Sequence, residues 1–191
     1  MLMVGIDPAE VEEQLVGGRL ACPDCAGVLR PWGHARWRSR RVECGSVRHR
    51  PRRACCSGCR ATHVLLPASG LLRRADAVAV IGAALLAKAG GAGYRVIAAA
   101  LGRPASTVRG WLRRFTARAE SVRAVFTGLL HALDPQAPPL PPAGSIVADA
   151  VEAIGRAAAA AARRLGPVPP WQFAATASAG RLLAPPPGQG R

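Results

Sequence analysis

Lysine is almost missing from this chain: Lys88 is the only one among 191 residues. Acids are scarce too, with 11 Asp and Glu against 26 Lys and Arg, so the formal charge is +15 and arginine carries nearly all of it. Such a balance is the footprint of a protein that meets a polyanion. GC-rich coding inflates Arg, Ala, Gly and Pro together and explains some of it without any function. It does not explain clustering: from Arg30 to Arg53 there are nine arginines and a single acid, Glu43. Long apolar runs are also lacking. The longest uncharged run in the main apolar region, Ala77 to Ala87, is too short to cross a bilayer, which excludes a membrane span there. MLMVGIDPAE has no basic start and turns acidic at once, unlike a signal peptide. The expected location is therefore the cytoplasm, at the nucleoid, where six cysteines are metal ligands or free thiols rather than disulfides.

The chain divides by composition. Asp7-Pro8-Ala9-Glu10 reads as a helix start, with an Asp cap and Pro in the first turn, so residues 1–19 are expected to hold a short acidic helix ending at Gly17-Gly18. Residues 20–67 are rich in Cys, Arg and Trp without helical period. Residues 71–133 turn Ala/Leu-rich and helical. Five prolines in 134–144 predict a stiff extended linker. Residues 145–191 are expected to give a C-terminal helix capped by Ser145, a short helical turn around Trp171–Ala179, and a disordered PPPGQGR end.

CPDC (Cys22, Cys25) and CSGC (Cys56, Cys59) bracket 30 residues. Two residues between cysteines let both thiolates of one turn reach the same ion, and two such turns complete a tetrahedral S4 site for one structural Zn2+. Four thiolates leave no open position for water, and binding energy substitutes for a core the segment is too small to build. Gly27 is expected to give the first turn its backbone freedom. Cys44, Cys55 and His63 are alternative ligands; Cys56 is preferred to Cys55 because it completes the CxxC spacing. The intervening strands carry Arg38, Arg40, Arg41, Arg50, Arg52 and Arg53 as expected phosphate contacts. Trp32 and Trp37 are expected to cover the small ribbon core, with base stacking as the alternative.

IAAALGRPASTVRGWLRRF, residues 97–115, has helix-turn-helix spacing. Val96, Ile97 and Leu101 form the expected buried side of the first helix, small Ala98 permits close approach, and Gly102 makes the turn. Pro104 starts the second helix. On a helical wheel Val108, Trp111, Leu112 and Phe115 fall within an arc of about 100°. Opposite them lie Ser106, Arg109, Gly110 and Arg113, the expected base-reading face for double-stranded DNA in the major groove. Thr107, Arg114 and Arg118 suit phosphates. A corner of two helices with solvated arginines is the plain alternative. Arg103 departs from the motif, whose turn is usually apolar at that position. Asp76–Ala89 would be the buried first helix of a tri-helical unit.

CPDC…RPWGHARWR…RRACCSGC, then THVLLPA and IAAALGRPASTVRGWLRRF, resembles uncharacterised proteins of high-GC bacteria. It is similar to the amino-terminal DNA-binding part of insertion-sequence transposases, which join a zinc ribbon to a helix-turn-helix. The resemblance covers about residues 20–133 and implies Cys22, Cys25, Cys56 and Cys59 as metal ligands and 105–118 as the DNA reader. The resemblance does not extend to the family's catalytic part, so the chain is expected to bind without cutting. Beyond the helix-turn-helix the acids are Glu120, Asp134, Asp149 and Glu152, which do not make the carboxylate triad that holds two metal ions. A zinc deaminase needs H-x-E near its cysteines, and no histidine here has that context.

The expected fold is thus mostly α with a small β zinc ribbon: an N-terminal ribbon, a tri-helical helix-turn-helix domain and a C-terminal helix. The expected function is non-catalytic, sequence-preferring DNA binding, as a transcription regulator or a transposase derivative. The alternative is an RNA-binding zinc ribbon, or an adaptor whose helices bind protein. Ala157–Ala162 offers a small-residue face for a homodimer or a transposition partner.

Overall fold

The computed structural model describes residues 1–184; the expectation for PPPGQGR, 185–191, lies outside them. An N-terminal β region is followed by helices, in the order β1 (Leu2–Val4), α1 (Pro8–Val16), β2 (Leu29–His34), β3 (Arg38–Arg41), β4 (Ser46–His49), β5 (Arg52–Cys56), β6 (Thr62–Pro67), α2 (Val78–Ala89), α3 (Tyr94–Leu101), α4 (Ala105–Thr116), α5 (Ala119–Leu133), α6 (Ile146–Leu165) and α7 (Pro170–Ala177).

α1 forms as its sequence dictates. Asp7 accepts a 2.8 Å hydrogen bond from the Ala9 amide, Pro8 occupies the first turn, and Gly17 ends the helix. It is not a separate unit. The unforeseen strand β1 pairs in parallel with β6, placing Leu2 opposite Leu65, and the sheet order is β1-β6-β5-β2. α1 lies against this sheet, so Val11 and Leu15 join Cys22, Leu29, Ala54, Cys56 and Leu65 in one small core. Arg52 donates to both oxygens of Glu12 at 2.7 and 2.9 Å, tying β5 to α1. That hydrogen bond holds the Glu12 carboxyl below its usual range. The tie therefore contributes at neutral pH and is lost as pH falls through the depressed value.

The hairpin β3–β4 stands apart from that sheet, with Arg38 opposite His49 and Arg41 opposite Ser46. Its outer edge joins the helical half instead. The Arg41 amide donates to Ala75 O and Ala77 donates to Arg41 O, both at 2.8 Å.

The helices share a second and larger core. Val108, Trp111, Leu112 and Phe115 of α4 are all buried, as the wheel requires, and Phe126 of α5 meets Phe173 of α7 edge-on at 6.1 Å. Val96 is an exception: it is two-thirds exposed, and α3 packs through Ile97 and Ala98. The proline-rich stretch brings α6 onto α5 with the C-terminal ends of the two helices together: Leu140 packs on the core, and Arg163 near the end of α6 pairs with Asp134 at the end of α5 at 2.8 Å. Ser145 caps α6 by accepting from the Ala148 amide. The alanine face expected to be free for a second copy is used inside the chain. Ala157, Ala158, Ala160 and Ala161 are essentially inaccessible, since α6 packs on α5, α2 and α7. α7 is longer than the expected turn. Trp171 sits over Gly82 of α2, where any Cβ would collide with the indole. Among the described residues no helix is long and apolar enough to cross a membrane.

Candidate metal centre and nucleic-acid interface

The four cysteines of the two CxxC turns converge. Their sulfurs all lie within 4.8 Å of one another, with Cys22 and Cys59 at 3.8 Å and Cys25 and Cys56 at 3.4 Å. Four thiolates around one zinc at about 2.3 Å would put their sulfurs about 3.8 Å apart, so the cluster could hold one metal ion. Backbone amides point at the sulfurs: Asp24 N–H donates to Cys22 at 3.5 Å and Gly58 N–H to Cys56 at 3.3 Å. The two turns repeat one device. The residue after each second cysteine is left-handed, Ala26 at φ 57° and Arg60 at φ 64°. Gly27 therefore does not supply the turn. A Cβ there would approach Cys56 Sγ to 3.0 Å and Cys25 Sγ to 3.3 Å, so the glycine makes room for sulfur. Gly27→Ala should weaken metal binding by about tenfold while leaving the helices intact, which competition with a chromophoric chelator would measure.

Electrostatics favours a cation. The Gly27 amide, with the Cys56 and Cys59 thiols, brings Cys25 down to about 7. The Ala61 amide acts the same way on Cys59, yet the neighbouring thiols and burial push it up to about 12. Four sulfurs this close cannot all ionise without positive charge between them. Cys55 is not in the cluster; its thiol donates to Cys56 O and Arg60 O. Cys44 is exposed in the β3–β4 turn. His63 is buried, with Nε2 3.4 Å from Cys22 Sγ, beside the cluster rather than among the four sulfurs.

The second candidate site is α4. Gly102 adopts the left-handed conformation the turn needs (φ 59°, ψ 40°), and Pro104 precedes the first turn of α4. Ser106, Arg109 and Arg113 are exposed, Gly110 is half-buried, and the four line one shallow depression. No acidic side chain lies in the first turn and no side chain caps it, so the positive end of the helix is open. Arg109 lies over the Tyr94 ring at 5.9 Å, a support from α3 that sequence spacing did not reveal. Arg114 folds back to Gly110 O at 3.0 Å.

The arginines expected at phosphates divide. Arg38 and Arg50 are exposed and Arg53 is half-buried. Arg41, Arg52 and Arg118 have internal work: Arg41 binds Asp76, Arg52 binds Glu12, and Arg118 donates to Ala184 O at 2.6 Å. Arg40 is buried at 8% exposure. Trp32 and Trp37 do not cover the ribbon core either. Both are more than half exposed, and Arg48 stacks over Trp37 at 5.3 Å.

Arg103, the departure in the turn, has a partner that explains it. Its Nε donates to Asp76 Oδ1 at 2.8 Å and its Nη2 to Val42 O at 2.6 Å, while Arg41 grips Asp76 by two bonds at 3.0 and 2.6 Å. Asp76 is 2% exposed. The helix-turn-helix corner is thus bolted to the β3–β4 hairpin through one carboxylate.

Residues 73–123 match the family model described as a homeodomain-like domain. They span α2, α3, α4 and the start of α5, the helix-turn-helix with its supporting helices, and a domain of this kind points to DNA as a partner. Neither the curated proteins nor the solved structures contain a significant match to the chain.

Proposed function

We propose that this is a non-catalytic, zinc-stabilised, sequence-preferring DNA-binding protein, either a transcription regulator or a derivative of an insertion-sequence transposase, acting on double-stranded DNA at the nucleoid. The observation that carries the reading is the open face of α4, with Ser106, Arg109, Gly110 and Arg113 together on the second helix of a homeodomain-like unit. Arg109 and Arg113 each have the reach and fork geometry for guanine O6 and N7. Ser106 sits at the positive end of the helix, and Thr107, Arg114, Arg38, Arg50 and Arg53 suit phosphates. Zn2+ at Cys22, Cys25, Cys56 and Cys59 would fold the ribbon and do no chemistry, since four thiolates leave no open coordination position. Three acids of the helical half have structural partners: Asp76 pairs with two arginines, Asp134 with Arg163, and Asp149 accepts from the Ala143 amide.

The test is selection of bound fragments from a random duplex library with the metal-loaded protein and with Arg109→Ala/Arg113→Ala. The wild type should enrich one motif, and the variant should lose about 2–6 kcal/mol of discrimination at the contacted guanines while retaining a steep salt dependence. Enrichment of the same motif by both proteins would refute base reading by α4. Gly110→Ala sharpens this. An added Cβ meets only the mobile end of Arg114, so the variant should gain up to about 1 kcal/mol of helix stability. It should nevertheless bind the selected duplex more weakly, because the Cβ faces the groove; unchanged affinity would place the backbone away from DNA.

A second reading is RNA binding by the ribbon. The exposed tryptophans, with Arg48 over Trp37, favour it. Equal binding of single-stranded RNA and duplex DNA, without any enriched motif, would establish it in place of the first.

A further inference from the structure

A cleft of about 620 Å³ opens between β3 and the segment 71–75 that leads into α2. Arg36, Arg38, Arg40, His49, Arg73 and Arg74 line it, and among the described residues no carboxylate does. Arg40 lies at its wall, more than nine-tenths buried. One Nη donates to Ser69 Oγ at 2.7 Å, the other lies 3.5 Å from His49 Nε2, and Nε has no hydrogen-bond partner. Arg74 Nε is also buried without a partner.

Stability alone does not account for this arrangement. A buried guanidinium is ordinarily matched by a carboxylate, as Arg103 is by Asp76. Here the neighbours are further cations. Room is made for the charge nonetheless, because a Cβ on Gly70 would sit 2.5 Å from the Arg40 guanidinium. His49 is held below its usual value by burial and by the charges of Arg40 and Arg38, which keeps it a neutral acceptor for Arg40. A phosphate group has the missing features: negative charge, and several oxygens to take guanidinium N–H groups in forked pairs.

The cleft also lies beside the DNA-reading helix. β3 runs along residues 75–77, Asp76 in that segment is bonded to Arg103 at the α3–α4 turn, and the charge of Arg114 on α4 is felt at Arg74. We propose that this cleft is a phosphate-binding site, filled by the backbone of the duplex that α4 reads, so that the hairpin and α4 make one continuous contact. The proposal rests on α4 reading DNA.

Arg38 and Arg73 are exposed and have no part in the Asp76 network, so Arg38→Gln/Arg73→Gln tests the cleft without dismantling the fold. The metal-loaded full chain would be titrated with its selected duplex over a range of salt concentrations, and separately with inorganic pyrophosphate. Loss of two phosphate contacts should make the log K against log salt slope shallower by about 1.8 and weaken binding at least tenfold at 0.1 M salt, with the preferred motif unchanged. An unchanged slope and affinity would overturn the proposal. Loss of pyrophosphate binding with unaltered duplex binding would overturn the DNA assignment and leave a site for a free phosphate compound. If the wild type binds no duplex, the reading of α4 fails by itself. The pyrophosphate titration then decides the cleft: binding that the variant loses keeps a phosphate site, and no binding removes it.

Discussion

Stripping the metal with a chelator, or replacing Cys56 by Ala, will unfold the ribbon and leave the helical half folded. The two cores differ in kind. The ribbon's contains Val11, Leu15, Leu29, Ala54 and Leu65 around Cys22 and Cys56, so two of its buried side chains are themselves cluster residues. The helical core is lined by Phe115, Phe126, Ile81, Leu85, Ile154 and many others, none of them near the cysteines in sequence. Structural zinc typically contributes about 10–16 kcal/mol of apparent binding free energy, whereas four buried Val and Leu side chains supply about 6–12 kcal/mol, which ordering the backbone of the segment more than cancels. Amide spectra recorded with and without chelator should show resonances of 20–34 and 52–67 collapsing to random-coil positions while those of 78–177, and of the hairpin strand anchored to them, persist. Collapse of both halves would mean that the helices lean on the ribbon for stability. Survival of both would mean that the cluster needs no metal.

Asp76→Ala should be the most damaging single change in the helix-turn-helix region. It removes the acceptor of Arg103 Nε and of both Arg41 bonds, leaving Arg103, only 11% exposed, without its carboxylate. Breaking a buried pair from one side costs about 3–5 kcal/mol, chiefly through the stranded charge. Arg41, nearly half exposed, finds water and adds little to that cost. The hairpin should also come loose from the corner, because Arg103 no longer holds its hydrogen bond to Val42 O in place. Urea unfolding followed by both tryptophan fluorescence and helical dichroism would show the loss, with the two probes separating into distinct transitions. A loss below 1 kcal/mol would mean that solvent replaces the carboxylate.

What the sequence disclosed depended on how local each signal was. The CxxC turns are four residues long and carry their own geometry, so choosing Cys56 over Cys55 needed nothing but spacing. The wheel of α4 likewise depends on residues three and four apart, and its buried and open faces agree with the structure. β1 was beyond reach: three residues carry no period, and their partner Leu65 lies more than sixty positions away. Arginines posed the opposite problem. Charge is visible in a sequence but its partner is not, so Arg41, Arg52 and Arg118, which brace the fold, read the same as Arg38, which does not. The tryptophans misled because large aromatic rings are usually covered, whereas the ribbon's small core is closed by α1 and leaves Trp32 and Trp37 outside. Ala157–Ala162 was legible as a packing face; only the fold could say that α5 and α2 are its partners.

The seat of Trp171 over Gly82 bears on how the chain is made. The ribosome releases the ribbon first, and with its last cysteine at position 59 and its last strand ended by 67 it can take up metal and close while the rest is still being synthesised. The helices have no such head start. α2 emerges early but is covered by α6 and α7, and its core is sealed by Leu182 and Leu183, more than a hundred residues later. Until then the most apolar helix of the molecule stays open to other nascent chains, and a finished, highly basic ribbon stands beside it. A chain cut before α7 should leave the apolar face of α2 around Gly82 uncovered and prone to aggregation.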